Sequence, residues 1–140
     1  MDSQRIDEGL AEYSTYLYLL KNEGKNSANN LIDAAKSAYR SFFDINSLLS
    51  GNADTRMNKN LNEFTSEYEY VNMAYIKPCI MYDKLRVTIG EEKFFNSLKS
   101  YYKNYKMKNA TPDDLVGAFE KTGADTNGFF KSFFEGKVII

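Results

Sequence analysis

The chain has 140 residues, of which 43% are apolar and 26% are charged, and its formal net charge is −1 at pH 7. These values are typical of a globular domain and exclude a disordered segment. A net charge this close to zero excludes a whole-molecule field that attracts nucleic acid or anionic lipid. No apolar run reaches the roughly 18 residues of a membrane span. The sequence therefore predicts no nucleic-acid partner and no membrane-spanning segment.

Histidine is absent and cysteine occurs once, as Cys79. A single cysteine forms no internal disulfide, which suits a reducing compartment. Without histidine, the chain lacks the usual base that activates a serine or cysteine nucleophile. The sequence also shows no glycine-rich phosphate loop and no paired-cysteine metal motif. These common catalytic and binding motifs are therefore excluded.

Helical periodicity dominates the first half of the chain. Apolar residues recur at four-and-three spacing and predict helices over residues 6–21 and 28–49. Residues 50–66 are polar and weakly patterned, and they are predicted to form a loop with room for one short helical turn.

The next segment is apolar on nearly every side between Met73 and Tyr82, which is typical of a buried helix. Proline fits best in the first turn of a helix, where backbone N–H groups need no intrahelical partner. The sequence therefore predicts a helix over residues 77–89 that begins between Tyr75 and Pro78, with Tyr75 at its mouth.

The last third predicts three more helices, over residues 91–105, 112–122 and 126–135. Thr111 is placed as the N-cap of the second of these, with a capping box, and Asp125 as the N-cap of the third. No stretch alternates long enough to predict a sheet. The predicted fold is all-α, an irregular bundle of about six helices with no significant sheet, in a single domain over residues 1–140.

Basic and aromatic residues interleave near the end of the helix predicted over 91–105. This pattern is compatible with a stacking surface for single-stranded nucleic acid. An amphipathic helix with tyrosines packed inward and lysines in solvent also explains this pattern, and it is the strongly favoured interpretation.

Three acidic residues, Asp7, Glu8 and Glu12, lie near the start of the first helix. Carboxylates four apart on one helix face repel by a few tenths of a kcal/mol. The helix dipole favours acidic residues near the N-terminus, and this explanation is preferred from the pattern alone. The alternative is a metal site.

Three blocks of sequence carry a family resemblance. They are DEGLAEY at 7–13, AYIKPCIMYDKLRVTIGEEKFFNSLKSYYKNY at 74–105 and NATPDDLVGAFEKTGADTNGFFKSFF at 109–134. In order and spacing they resemble the C-terminal half of the catalytic domain of the aminopeptidase-N-type zinc metallopeptidases, gluzincins that include leukotriene A4 hydrolase. The resemblance extends from about residue 5 to residue 136, and residues 21–66 match poorly.

The resemblance implies roles for two residues. In the family, an H-E-x-x-H helix gives two histidine ligands to zinc and a later glutamate gives the third, which falls on Glu8. The family's tyrosine before x-Lys-Gly hydrogen-bonds the oxyanion of the tetrahedral intermediate, and it falls on Tyr75. The role of Glu12 stays open. The chain departs from the pattern where Lys77 is followed by Pro78 instead of glycine.

By this resemblance, the chain is expected to be part of a zinc-dependent aminopeptidase that hydrolyses N-terminal peptide bonds. The parent protein is expected to bind zinc and a peptide substrate, and the upstream half of the catalytic domain is the implied partner. The isolated chain, without histidines, is expected to hold no zinc and to be inactive. It is also expected to self-associate through the face that carries Glu8 and Tyr75. The alternative is a non-enzymatic helical interaction module that kept the fold and lost the zinc site.

Overall fold

The fold is an assembly of helices, seen in a computed structural model that describes residues 4–126 and 128–140. The α-helices are α1 (Gln4–Asn22), α2 (Lys25–Ser50), α3 (Glu67–Val71), α4 (Lys77–Ile89), α5 (Glu91–Tyr105), α6 (Pro112–Lys121) and α7 (Phe129–Phe134). A 3-10 turn spans Leu61–Glu63, and a π-helical turn spans Asn72–Ile76. No strand occurs in the described residues, so the predicted all-α fold is confirmed. No described helix is both long and apolar enough to cross a membrane.

The helix that leads into α4 begins earlier than predicted. Regular α4 starts at Lys77, inside the predicted window, but the preceding residues are already helical. Ser66 caps α3 by accepting a hydrogen bond from the Glu69 backbone N–H at 3.1 Å. The backbone then continues through the π-helical turn with right-handed helical angles, φ −65° and ψ −36° at Asn72. Tyr75 therefore lies within a continuous helical segment, and its predicted position at a helix mouth is wrong.

Pro78 accounts for the wide turn. Proline has no N–H, and its ring collides with the carbonyl four residues earlier in a regular α-helix. The chain avoids this collision by widening instead of ending: the Lys77 N–H bonds to the Asn72 carbonyl, five residues back. Such i→i+5 turns occur mainly as single insertions within α-helices. Pro78 thus lies in the first turn of α4, as predicted, but it does not mark the start of the helical segment.

The two predicted caps near the C-terminus differ in outcome. Thr111 caps α6 as predicted: its hydroxyl accepts from the Asp114 N–H at 3.3 Å, and its own N–H donates to the Asp114 carboxylate at 2.8 Å. Asp125 is not the N-cap of α7, and this prediction is wrong. Gly128 takes that position with φ 76°, a left-handed angle that glycine adopts without strain.

The main hydrophobic core lies between α1 and helices α4 to α7, with some side chains from α2 and the loop that follows it. Its fully buried side chains are largely aromatic, and several rings stack or meet edge to face: Tyr13, Tyr82, Phe94 and Phe119. A smaller cluster joins α2 to α4 and the π-helical turn, through Tyr39, Phe42, Met73 and Ile80. Burial of large aromatic side chains dominates the stability of such cores.

Arg86 fixes α4 against its two neighbours. Its guanidinium group donates to the Tyr13 hydroxyl at 2.7 Å and to the Tyr16 hydroxyl at 3.0 Å, both on α1. It also donates to the Glu91 carboxylate, at the start of α5, at 2.8 Å. The planar fork of arginine suits several partners at once. One side chain thus sets how α1, α4 and α5 sit together.

Lys77 ties three distant parts of the chain together from a fully buried position. Its Nζ donates to the Thr55 carbonyl at 2.6 Å and to the Phe133 carbonyl at 2.9 Å. These contacts join the long loop and α7 to the first turn of α4. Burial lowers the pKa of Lys77 to about 8, because removal from water disfavours the charged form.

The loop before α3 is anchored by a second buried lysine. Lys59 forms ion pairs with Glu69 on α3 and with Asp54, the latter at 2.8 Å. Glu69 also accepts from the Thr65 N–H at 2.8 Å and from the Thr65 hydroxyl at 2.7 Å. Buried charges are stable only when paired in this way. The network fixes α3, which carries part of the candidate site.

α1 and the start of α4 touch where Gly9 meets Pro78. Both residues are buried, and a Cβ atom placed on Gly9 lies only 2.2 Å from the Cβ of Pro78. Glycine is therefore required at this crossing, although it lowers the intrinsic helix propensity of α1. The close approach brings Glu8 to the edge of the π-helical turn.

We predict that Gly9→Ala destabilises the protein by about 1–3 kcal/mol, because the added methyl group overpacks a rigid proline ring. Urea unfolding followed by far-ultraviolet circular dichroism measures this change. Gly117→Ala is the matched control, since nothing lies within 4 Å of a Cβ there. In the middle of α6 that substitution is expected to stabilise by up to about 1 kcal/mol. Equal effects of the two variants would contradict the close contact.

We predict that Lys77 makes stability rise with pH between about pH 8 and pH 10.5. In that range the unfolded chain still binds the lysine proton and the folded chain has released it, so higher pH favours folding. The gain approaches about 3 kcal/mol across the full range, at about 1.4 kcal/mol per pKa unit.

Urea unfolding at several pH values gives the unfolding free energies of the unsubstituted chain and of Lys77→Met. The difference between them removes the contribution of tyrosine ionisation, which both proteins share. This difference should grow with pH in favour of the unsubstituted chain. Lys84→Met, at an exposed position on the same helix, is the matched control, and the growth of the difference with pH should be larger for Lys77→Met. A constant difference for Lys77→Met would show that folding does not lower the pKa of Lys77.

Candidate active site

Glu8 lies on the second turn of α1 and is half-buried. The Tyr70 hydroxyl, from α3, donates to one carboxylate oxygen of Glu8 at 2.9 Å and approaches the other at 3.3 Å. Hydrogen bonds from a neutral donor to an ionised carboxylate are shorter and stronger than those between neutral groups. The carboxylate is thus held by a residue from another helix.

Tyr75, on the π-helical turn, reaches the same carboxylate. A hydrogen bond to Glu8 raises the pKa of the Tyr75 phenol, because the bond favours the protonated form. The rings of Tyr70 and Tyr75 meet edge to face, with centroids 6.2 Å apart and an interplanar angle of 80°. The structure therefore brings together Glu8 and Tyr75, the two residues that the sequence marked as candidates.

Tyr70 is the member of this cluster that the sequence analysis missed. It precedes Tyr75 by five residues, and the intervening π-helical turn bonds residues that are five apart. The wide turn therefore lets both phenols face α1. The signal in the sequence was a second tyrosine close before Pro78, but its meaning depended on recognising that proline widens the helix there.

Asp7 and Glu12 do not join the cluster. Asp7 lies beside Tyr101 on α5 instead, where partial burial raises the pKa of its carboxyl. Glu12 is exposed on α1, one turn after Glu8. The three acidic residues at the start of the chain thus have separate environments, and only Glu8 meets the two phenols.

The described residues provide one candidate metal ligand and not a complete site. Within residues 4–126 and 128–140, no three Asp, Glu, Cys or His side chains are grouped as metal ligands. Cys79 is fully buried, and burial raises the pKa of its thiol to about 12, which disfavours the thiolate needed to bind a metal. Glu8 fits the role of a single ligand, since a carboxylate has about four lone-pair positions.

Helices α2 and α3 carry several exposed apolar side chains. Tyr68 and Val71, on α3, are 47% and 36% exposed. Leu48 and Leu49, at the end of α2, are more than four-fifths exposed. The ring of Tyr68 packs edge to face on Phe42 of α2, with centroids 5.5 Å apart. These residues give α2 and α3 apolar surface that is open to solvent.

Two sequence comparisons match this chain to known proteins. The sequence profile of the Peptidase family M1 domain matches residues 3–133. Aminopeptidase N of Streptomyces lividans is 33% identical over 64 residues, which cover 45% of this chain and 8% of that protein. The chain thus matches only a small part of the length of this relative. No solved structure gives a significant match. The chain belongs to the M1 peptidase family.

Proposed function

We propose that this chain forms part of the active site of a zinc-dependent aminopeptidase, with Glu8 as one metal ligand and Tyr75 as the oxyanion donor. The observation that carries the proposal is the juxtaposition of Glu8 on α1 and Tyr75 on the π-helical turn around Tyr70, whose hydroxyl donates to Glu8 at 2.9 Å and whose ring meets that of Tyr75 with centroids 6.2 Å apart. Membership of a peptidase family gives the reaction class. The similarity to an aminopeptidase N supports cleavage at peptide N-termini.

Glu8 is suited to hold a metal ion because α1 fixes its backbone and Tyr70 fixes its carboxylate. Catalytic zinc sites use three protein ligands and leave one position open. Since the chain has no histidine, the remaining ligands come from residues outside it. When bound, zinc lowers the pKa of a water molecule and polarises the peptide carbonyl.

Tyr75 contributes through its neutral hydroxyl. The pKa of the phenol is raised from its ordinary value, so the proton is retained at neutral pH. A retained proton allows the hydroxyl to donate to the negative charge that develops on the peptide oxygen in the transition state. Donors placed where this charge develops stabilise the transition state more than the ground state. Tyr75 therefore acts on the rate of the chemical step more than on substrate binding.

The partner that completes the site is the histidine-bearing part of the catalytic domain. It packs, in this proposal, on the face formed by α1, α3 and the π-helical turn. Support comes from Tyr68 and Val71, which expose apolar surface on α3. Apolar patches of this kind mark interaction sites. Where that partner is missing, self-association of the chain through the same face is the expected substitute.

We predict that Glu8→Ala and Tyr75→Phe have different effects in the complete protein, meaning these residues together with the histidines that complete the site. Glu8→Ala removes a ligand and should abolish zinc binding and activity together. Tyr75→Phe should keep zinc and leave KM nearly unchanged while kcat falls by on the order of a hundredfold or more, as expected for loss of one oxyanion donor.

Zinc content by atomic absorption and steady-state kinetics on an aminoacyl chromogenic substrate measure the two effects. Glu12→Ala, at an exposed position one turn after Glu8, is the matched control for loss of a nearby carboxylate and should keep zinc. Full activity in Tyr75→Phe would remove this residue from the mechanism. Equal loss of zinc in both variants would show that Tyr75 is misassigned.

We predict that the 140-residue chain alone binds no zinc tightly at one ion per chain and hydrolyses no peptide. Carboxylates and a buried thiol lack the nitrogen ligands that this class of zinc site needs. Isothermal titration with zinc at neutral pH, and incubation with the same chromogenic substrate, check this. Tight stoichiometric binding that survives Glu8→Ala would show that the chain holds zinc at another place.

A further inference from the structure

We infer that Tyr70 is a positioning residue that holds the Glu8 carboxylate in the orientation of a metal ligand, an inference that rests on the function proposed above. The sequence resemblance implies roles for Glu8 and Tyr75. Tyr70 is identified by the structure, through its contact with Glu8. Groups that hydrogen-bond a metal ligand from behind orient it and tune its affinity for the metal.

The geometry suits this role. The Tyr70 hydroxyl lies 2.9 Å from one Glu8 oxygen and 3.3 Å from the other. The phenol donates one proton, so it occupies one of the roughly four lone-pair positions of the carboxylate. Even with the Tyr75 phenol at the same carboxylate, lone-pair positions remain for a cation. The Glu8 side chain is thus already restricted before the metal binds. Metal binding then costs less side-chain entropy and is tighter.

Tyr70 is itself held firmly. Phe64 packs on its ring edge to face, with centroids 5.4 Å apart, and Tyr75 covers another side. The adjacent Glu69 is buried and paired with Lys59. A hydroxyl on such a fixed ring defines the position of its acceptor, as a supporting shell must do for a functional site.

The two phenols have different surroundings, which separates their roles. Within residues 4–126 and 128–140, the ring of Tyr70 has aromatic neighbours in Phe64 and Tyr75, whereas the ring of Tyr75 has Tyr70 alone. Tyr75 is therefore the freer of the two to turn its hydroxyl towards a substrate. Tyr70 is the one that stays with Glu8.

The test is the rate at which the complete zinc-loaded protein transfers its metal to a chromogenic chelator. Tyr70→Phe keeps the ring and its packing and removes only the hydroxyl. We expect it to start with one zinc per chain and to release that zinc about 10- to 100-fold faster than the parent protein. The thermal unfolding temperature of the zinc-free protein should stay unchanged, which excludes a general structural effect.

Tyr68→Phe is the matched control, because it removes a phenolic hydroxyl from the same helix at a position that is 47% exposed, two residues before Tyr70. It should release zinc at the parent rate. Release from Tyr70→Phe at the parent rate would overturn the inference, as would equal acceleration in both variants. Failure of the proposed function looks different: Glu8→Ala that keeps its zinc would remove Glu8 as a ligand, whatever the behaviour of Tyr70.

Discussion

The contact between Gly9 and Pro78 fixes the point at which α1 crosses the start of α4, and the geometry of the candidate site depends on it. There is no room for a Cβ atom on Gly9, since the proline ring fills that space. Glu8 is the residue before this contact, and Tyr75 lies three residues before Pro78. A wider crossing would move Glu8 away from the π-helical turn that carries Tyr75.

Pro78 acts a second time by widening the helix before it. The π-helical turn changes which residues share a face, and it brings Tyr70 and Tyr75 to the same carboxylate although they are five residues apart. Wide turns of this kind occur frequently at functional sites. In this chain the wide turn accommodates Pro78 while Tyr75 stays near Glu8.

Lys77, the residue before Pro78, holds the start of α4 in place. Lys77 is fully buried and donates to carbonyls of the long loop and of α7, although burial disfavours its charge. A buried amine that satisfies two distant carbonyls joins parts of the chain that share no periodic pattern. The loop it anchors leads through the ion pair of Lys59 and Glu69 into α3, so the position of Tyr70 depends on the same support.

The sequence by itself determined the all-α fold, most helix positions, the Thr111 cap and the candidacy of Glu8 and Tyr75. Periodicity and caps depend on neighbours along the chain, and a family motif is visible in the letters alone. Only the tertiary structure decided the π-helical turn, the need for glycine at position 9, the anchoring by Lys77 and the contact of Tyr70 with Glu8. The last three require segments that are distant in sequence to pack together, and local propensity carries no information about that distance. The wide turn is one of two local ways to accommodate Pro78, and the sequence does not decide between them.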